Sequence, residues 1–422
     1  MNMVNFKADA DEAKSRLEAW WDHEIIDRPV FSYYASTKRA SLGGYLDSRS
    51  SEWTLAQQPE EIEVVLDGFE KRAETTFFGG ESIPSFMPNY GSGILSAIFG
   101  AIPKFQSETV WFSRPSETKD IISHLESVKL NQNNEWYGRL LRVTEFAARR
   151  SKGAYQISVS DIGGVLDTLS SILGPTKLIL TMRRKPEIID KCRQIILEKL
   201  LFLYDKLQNT IEKYCDGCNS WLNVWCKRRW YPVQCDFIAM LNPKWFKRFA
   251  LPDIKAQIDH MDYALYHMDG HYQIPYLEDF LSIPNLTGIQ WVPGSGKAVQ
   301  GSEPWLALYK KIQSCGKSVI IDTPPEHVHH LYAKLDSKLT YVRTYYLTKA
   351  VSEFYVPSFL RDGEESLINN MINYCKDKQR SELRKDELDE YLTHKHIDLD
   401  NRTKKEILKE VNLAFVEKPF FY

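Results

Sequence analysis

No stretch of this chain approaches the roughly 20 consecutive apolar residues that a membrane-spanning helix requires. The opening segment, MNMVNFKADADEAKSRLEAWW, lacks the apolar core of a secretory signal and reads as an amphipathic helix instead. Charge of one sign is also missing. Lys and Arg number 54 against 56 Asp and Glu, so at a net charge of −2 no strong field draws the chain to nucleic acid or to an anionic membrane. Cysteine is sparse, at 7 in 422 residues, and an odd, scattered set excludes a disulfide framework. Reduced thiols and a cytoplasmic location are the expectation. No internal repeat is present, and no phosphate-binding fingerprint follows the first strand. Gly294-Ser295-Gly296-Lys297 falls short of a P-loop because the longer glycine spacing is absent.

What the chain does hold is aromatic: 22 Tyr, 20 Phe and 11 Trp, within a hydrophobic content of 43% that suits a large soluble core. The periodicity predicts a helix over 9–22, a strand over 30–34 and a helix over 59–76. A Gly-, Pro- and Ser-rich loop over 78–101 and helices over 116–127 and 134–150 follow. Strands over 154–159, 220–225, 263–267, 287–292, 318–321 and 339–345 then alternate with helices over 164–173, 186–215, 243–260, 275–282, 303–315 and 325–334. Single helices between strands imply parallel pairing through right-handed crossovers. About eight strands in that pattern predict an α/β chain closed as a (β/α)₈ TIM barrel, spanning 1–350 with a helical segment at its N-terminus. Residues 351–422 read as a charged helical extension packing on the barrel, ending in Phe420-Phe421-Tyr422, which would dock on the barrel or on a second subunit.

Functional groups of such barrels gather at the C-terminal ends of the strands. The most informative segment is Tyr263-Ala264-Leu265-Tyr266-His267-Met268-Asp269-Gly270-His271. Alternation puts His267, Asp269 and His271 on one face while the strand lasts. An imidazole and a carboxylate leaving one strand end can bind a metal, hold a substrate or exchange a proton; they can equally just bond each other and a nearby backbone. Other strand ends add Asp161, Trp225 and Cys226, Gln290 and Asp322. Asp161 could instead cap the helix after Gly163-Gly164. Cys215-Asp216-Gly217-Cys218 has CxxC spacing, but it follows a helix C-terminus and has no second ligand pair, so structural thiols are expected. The run Lys227-Arg228-Arg229-Trp230-Tyr231 is either a contact for an anionic substrate or a solvated loop.

Several segments resemble the uroporphyrinogen decarboxylase superfamily, which also contains corrinoid-linked and zinc-dependent methyltransferases. They are Arg16 to Trp21 with Asp27-Arg28-Pro29, Asn89 to Gly93, Ser160 to Asp167, Gln234-Cys235-Asp236-Phe237, and Asn242-Pro243 through Pro252, together with the His267 strand. The resemblance covers about residues 10–345. It implies the same barrel, and it places Asp236 at the barrel mouth. It also shows departures. Ser32 to Arg39 does not match the arginine-rich motif that neutralises a porphyrinogen's carboxylates. Where the zinc methyltransferases carry His-x-Cys this chain has His267-Met268-Asp269, and Tyr341 to Tyr345 holds no later cysteine.

The resulting expectation is an enzyme of that superfamily, a methyltransferase acting on a thiol or related acceptor with a methylcorrinoid on a partner protein as donor. The catalytic set is His267, Asp269 and Asp236. A zinc ion on His267 and Asp269 would complete the resemblance, with the harder nitrogen and oxygen donors replacing thiolates. Asp161, Trp225, Arg228, Tyr231, Gln290 and Asp322 are the expected substrate contacts. The alternatives are a decarboxylase that uses Arg228, Arg229 or Lys297 to stabilise a carbanion, and a catalytically silent ligand-binding barrel. A homodimer is an open expectation.

Overall fold

The computed structural model describes residues 6–37, 52–106, 109–115, 120–348, 383–394 and 401–414. Its strands, in chain order, are β1 (Phe31–Ser36), β2 (Thr76–Gly80), β3 (Ser85–Phe86), β4 (Ile102–Phe105), β5 (Val110–Ser113), β6 (Gln156–Ile157), β7 (Trp230–Val233), β8 (Tyr263–Asp269), β9 (Gly288–Val292), β10 (Ser318–Asp322) and β11 (Thr340–Thr348). Caps and prolines place the helix starts. Pro175 and Pro186 occupy first-turn positions of Pro175–Arg184 and Pro186–Ile211, where a missing N–H costs nothing. The Asn134 side chain accepts from the Tyr137 amide at 3.1 Å, capping Glu135–Ser151. No described helix is long and apolar enough to cross a membrane.

The chain divides into two compact units, the first taken from Met1–Ala8, Tyr45–Arg72 and Ile83–Gly294. In it β7, β8 and β9 form a parallel ladder that aligns Val233 with Tyr266 and His267 with Gln290. A separate parallel pair joins β3 to β6, and β4 with β5 makes an antiparallel hairpin. Parallel strands alternating with helices give the expected α/β fold. The closed eight-stranded ring is not formed by these ladders: β3 and β6 stand apart from β7, with only an isolated bridge, Val159 to Ser220, after β6.

The strand expected over 220–225 is a correction. Asn223 has φ of 52°, which no extended strand accommodates, and the Trp225 indole turns inward to donate to the Asp216 carbonyl at 3.0 Å. The strand of this region is β7, further along the chain. Pro232 lies within it, which an edge strand tolerates because one side of its backbone needs no ladder partner.

The helix expected over 243–260 is present but widens into a π-helical turn at Phe246–Ala250. Pro252 explains it: without an N–H it cannot bond the Arg248 carbonyl, which instead accepts from the Arg193 guanidinium at 3.2 Å. Arg193 also grips the buried Asp253 through two bonds, at 2.7 and 2.8 Å.

The second unit comes from Asp9–Gly44, Ala73–Ser82 and Ser295–Tyr422. Here β1 pairs parallel with β11, β10 parallel with β11, and β2 antiparallel with β1. Helix Ala10–Trp21 buries Ala13, Leu17, Trp20 and Trp21, a helical stripe. Trp20 packs on Tyr341 with ring centroids 5.2 Å apart. Helices Lys385–His394 and Asn401–Ala414 belong to the charged extension, burying Leu388 and Ile407. The rest of the extension, including Phe420 to Tyr422, lies outside the described residues.

The motif Asp27-Arg28-Pro29 turns out to be a clamp. The Glu81 carboxylate is fully buried. It accepts from Arg28 at 2.7 and 3.0 Å and from the Phe31 amide at 2.7 Å, tying the start of β1 to the end of β2. Arg16 forks onto Asp27 at 2.7 and 2.8 Å. Removing one member of a buried ion pair leaves the other unsolvated. Glu81→Ala should therefore lower unfolding stability by about 3 kcal/mol, whereas the exposed pair partner Asp27→Ala should cost under about 1 kcal/mol. Equilibrium urea unfolding of the three proteins checks the order; equal losses would refute the clamp.

Candidate active site

Two loops of the first unit and the end of β8 converge. Ser160 is fixed by its hydroxyl donating to the Pro88 carbonyl at 2.6 Å. Tyr231, inward-facing on β7, donates its hydroxyl to the Ser160 carbonyl at 3.0 Å and accepts from the Ile162 amide at 2.8 Å. That bridge holds the segment carrying Asp161 against β7. Asp161 accepts from the Gly163 amide at 2.9 Å and from the Gln234 side-chain amide at 2.7 Å. It does not cap a helix: the following helix is Val165–Leu173, capped at Gly164.

Gly163 and Gly164 are required by close approach. A Cβ on Gly163 would lie 2.6 Å from the Gly93 Cα, and one on Gly164 would lie 2.2 Å from an Asp167 carboxylate oxygen. Asp167, in the first turn of that helix, accepts from the Asp236 and Phe237 amides at 3.2 and 2.7 Å. Its carboxylate thereby fixes the loop that leaves β7 and presents Asp236. The Asn89–Gly93 segment forms the adjoining wall, with the Ile94 amide donating to the Asp161 carbonyl at 3.2 Å.

His267 is half-buried and Asp269 exposed, both on β8. The parallel register sets His267 beside Gln290, whose side-chain oxygen accepts from Nδ1 in either charge state of the ring. The other nitrogen, Nε2, is left to take up or deliver a proton. The Trp221 ring meets the imidazole edge-on at 5.0 Å. Asp236 is exposed at its surface, with protein packed around the rest of it. Burial raises its pKa; the His267 charge opposes that and the Asp269 charge adds to it. Asp161 is pushed up to about 7 by burial and then by the Asp236 charge, against the amide and Gln234 bonds. Asp167 is shifted upward for the same two leading reasons.

The arrangement thus brings His267, Asp269, Asp236, Asp161 and Gln290 together, with Tyr231 as the buried brace beneath them. Three further expected contacts have other partners or surroundings. Trp225 is buried. Arg228 sits before β7, over the Tyr263 ring at 5.4 Å, so it marks the N-terminal ends of β7 and β8, away from His267. Asp322 is in the second unit, held by Arg343 through two bonds of 2.7 Å. Arg229, proposed as an alternative cation, binds Glu212 at 2.8 Å. Asp167, Gln234 and Trp221 carry roles that residue-by-residue reading assigned to none of them. A carboxylate in the first turn after Gly163-Gly164 was the available signal for Asp167.

Among the described residues no group of three or more His, Cys, Asp or Glu is arranged to hold a metal ion. The bond between Nδ1 of His267 and Gln290 leaves Nε2 as the nitrogen a metal would take.

No family model and no curated protein matches the chain. The fold is shared with a methyltransferase from Methanosarcina mazei, at a TM-score of 0.52 and 11% identity, covering 78% of this chain and 92% of that one.

The raised Asp161 gives a pH test. Its folded-state pKa lies above the unfolded value of about 4, so between about pH 4 and pH 7 the unfolded chain releases the proton first. Its contribution to stability therefore falls as pH rises through that window. Asp161→Asn preserves the acceptor and removes the charge. It should gain about 1 kcal/mol relative to the parent at pH 8 and nothing at pH 4, after allowance for partial exposure. Urea midpoints at the two pH values decide it; a gain equal at both would refute the shift.

Proposed function

We propose that the chain is an α/β methyltransferase related to the decarboxylase and methyltransferase superfamily it resembles, with His267 as general base and a small thiol as acceptor. One observation carries this reading: an imidazole with Nδ1 bound to Gln290 stands at the C-terminal ends of parallel strands, close enough for its charge to act on Asp236. That is where α/β folds of this kind work. The fold likeness to a methyltransferase agrees with it.

A methylcorrinoid carried by a partner protein is the donor this reading takes. The acceptor S–H loses its proton to Nε2 of His267. The sulfur pair forms the S–CH₃ bond while the Co–C pair stays on cobalt, giving cob(I)alamin. Asp236 stabilises the imidazolium that results, and Gln290 keeps the ring oriented. Asp161, with its pKa near 7, can hold or release a proton beside them at neutral pH.

Decarboxylation is less well supported. A carboxylate substrate and a developing carbanion both call for fixed cations, and the charges acting on Asp236 are His267 and another aspartate. Arg228 is at the other strand ends.

Methylcobalamin and a panel of small thiols test the proposal through the absorbance change to cob(I)alamin under anaerobic conditions. His267→Ala should lose about 100-fold or more in rate. Gln290→Ala should lose about tenfold. Thiol-dependent demethylation absent from the parent protein, or equal in parent and His267→Ala, would overturn the assignment.

A further inference from the structure

Cys218 and Cys226 are directly opposed. The Cys218 amide donates to the Cys226 carbonyl at 2.7 Å and the Cys226 amide returns a bond to the Cys218 carbonyl at 2.9 Å. Residues that exchange both backbone bonds have Cα atoms about 5.5 Å apart and side chains on one side of the ladder. That separation lies within the disulfide range of about 4.4–6.8 Å. Both thiols are buried and unlinked, and Cys218 is close enough for its charge to act on Cys226. The sequence neighbour Cys215 is turned away, towards the Ser151 hydroxyl at 3.5 Å and the Tyr155 carbonyl at 3.9 Å. The CxxC spacing is thus not the thiol pair; the hairpin is.

The segment between the two cysteines, 219–225, carries Trp221, whose ring rests against His267. We propose that Cys218 and Cys226 are a redox modification site, closed to a reversible disulfide by hydroperoxide and locking the Trp221 segment beside the imidazole. The inference rests on the hairpin geometry and holds whatever reaction the site performs. One thiolate attacks the peroxide oxygen, giving a sulfenic acid and water. The second thiol then attacks that sulfur, and a second water leaves. Over the two steps the two thiols give up two protons and two electrons, and one hydrogen peroxide becomes two waters. Burial pushes Cys218 up to about 11 and raises Cys226 further from reactivity, so the thiolate is scarce and closure is slow at neutral pH.

The full-length protein treated with hydrogen peroxide at pH 8, alkylated and digested without reduction, tests this. Cleavage before Asp216 and after Trp221 puts Cys215, Cys218 and Cys226 on separate fragments. The expected product is a Cys218–Cys226 linked pair, two hydrogens lighter, released by dithiothreitol and absent from Cys226→Ser. Backbone amides of 219–225 should exchange at least about tenfold more slowly in the oxidised protein. Recovery of both cysteines alkylated after the exposed Cys315 is fully oxidised would overturn the proposal. So would linkage of Cys218 to Cys215.

Discussion

The register of β7, β8 and β9 is the constraint on which the site depends. Parallel strands that slip by one residue turn every side chain to the other face. Here the alignment of His267 with Gln290 sets which ring nitrogen the glutamine engages. The alignment of Val233 with Tyr266 sets where β7 stops, and so where Gln234 and Asp236 emerge. A buried core fixes that register more firmly than any polar contact could. Ala264, Leu265, Tyr266, Met268, Ile289 and Trp291 have almost no accessible surface, and a slip would drive His267 and Gln290 into their place.

On that frame the polar connections act over long sequence distances. Tyr231 ties β7 to the Ser160–Ile162 segment, and Asp167 ties the helix after it to the Asp236 loop. Each is a buried acceptor or donor that is satisfied only when both partners arrive, so the two loops are positioned together. The raised pKa values of Asp161 and Asp167 follow from this construction. Burial disfavours the charged form of each, and the neighbouring Asp236 charge adds to it.

Much of this was legible in sequence where local chemistry decides structure. Pro186, Pro243 and the stripe of Leu17, Trp20 and Trp21 announced helices, and the alternation ending at His267 announced β8. The failures share a cause. Ser220 to Trp225 has the composition of a strand, yet its place is taken by β7, where Pro232 argues locally against a strand and tertiary context overrides it. That displacement moved the expected strand end from Trp225 to Gln234, and with it put Arg228 at the wrong end of the site. Partnerships such as Asp167 with the Asp236 amide, or Cys218 with Cys226, have no periodic signature, because nothing local depends on them.

Charge narrows the chemistry further. His267 and Asp269 act on Asp236, Asp236 acts on Asp161, and the leading charges on Asp161 and Asp236 include no lysine or arginine. An anionic substrate entering there meets repulsion strengthened by low local dielectric. A neutral acceptor does not, and on the proposed reading it becomes anionic only as it passes its proton to Nε2. The same carboxylates that would hinder binding of a polycarboxylate leave an uncharged acceptor unopposed, which is why the proposed reading takes a protonated thiol rather than a carboxylate as substrate.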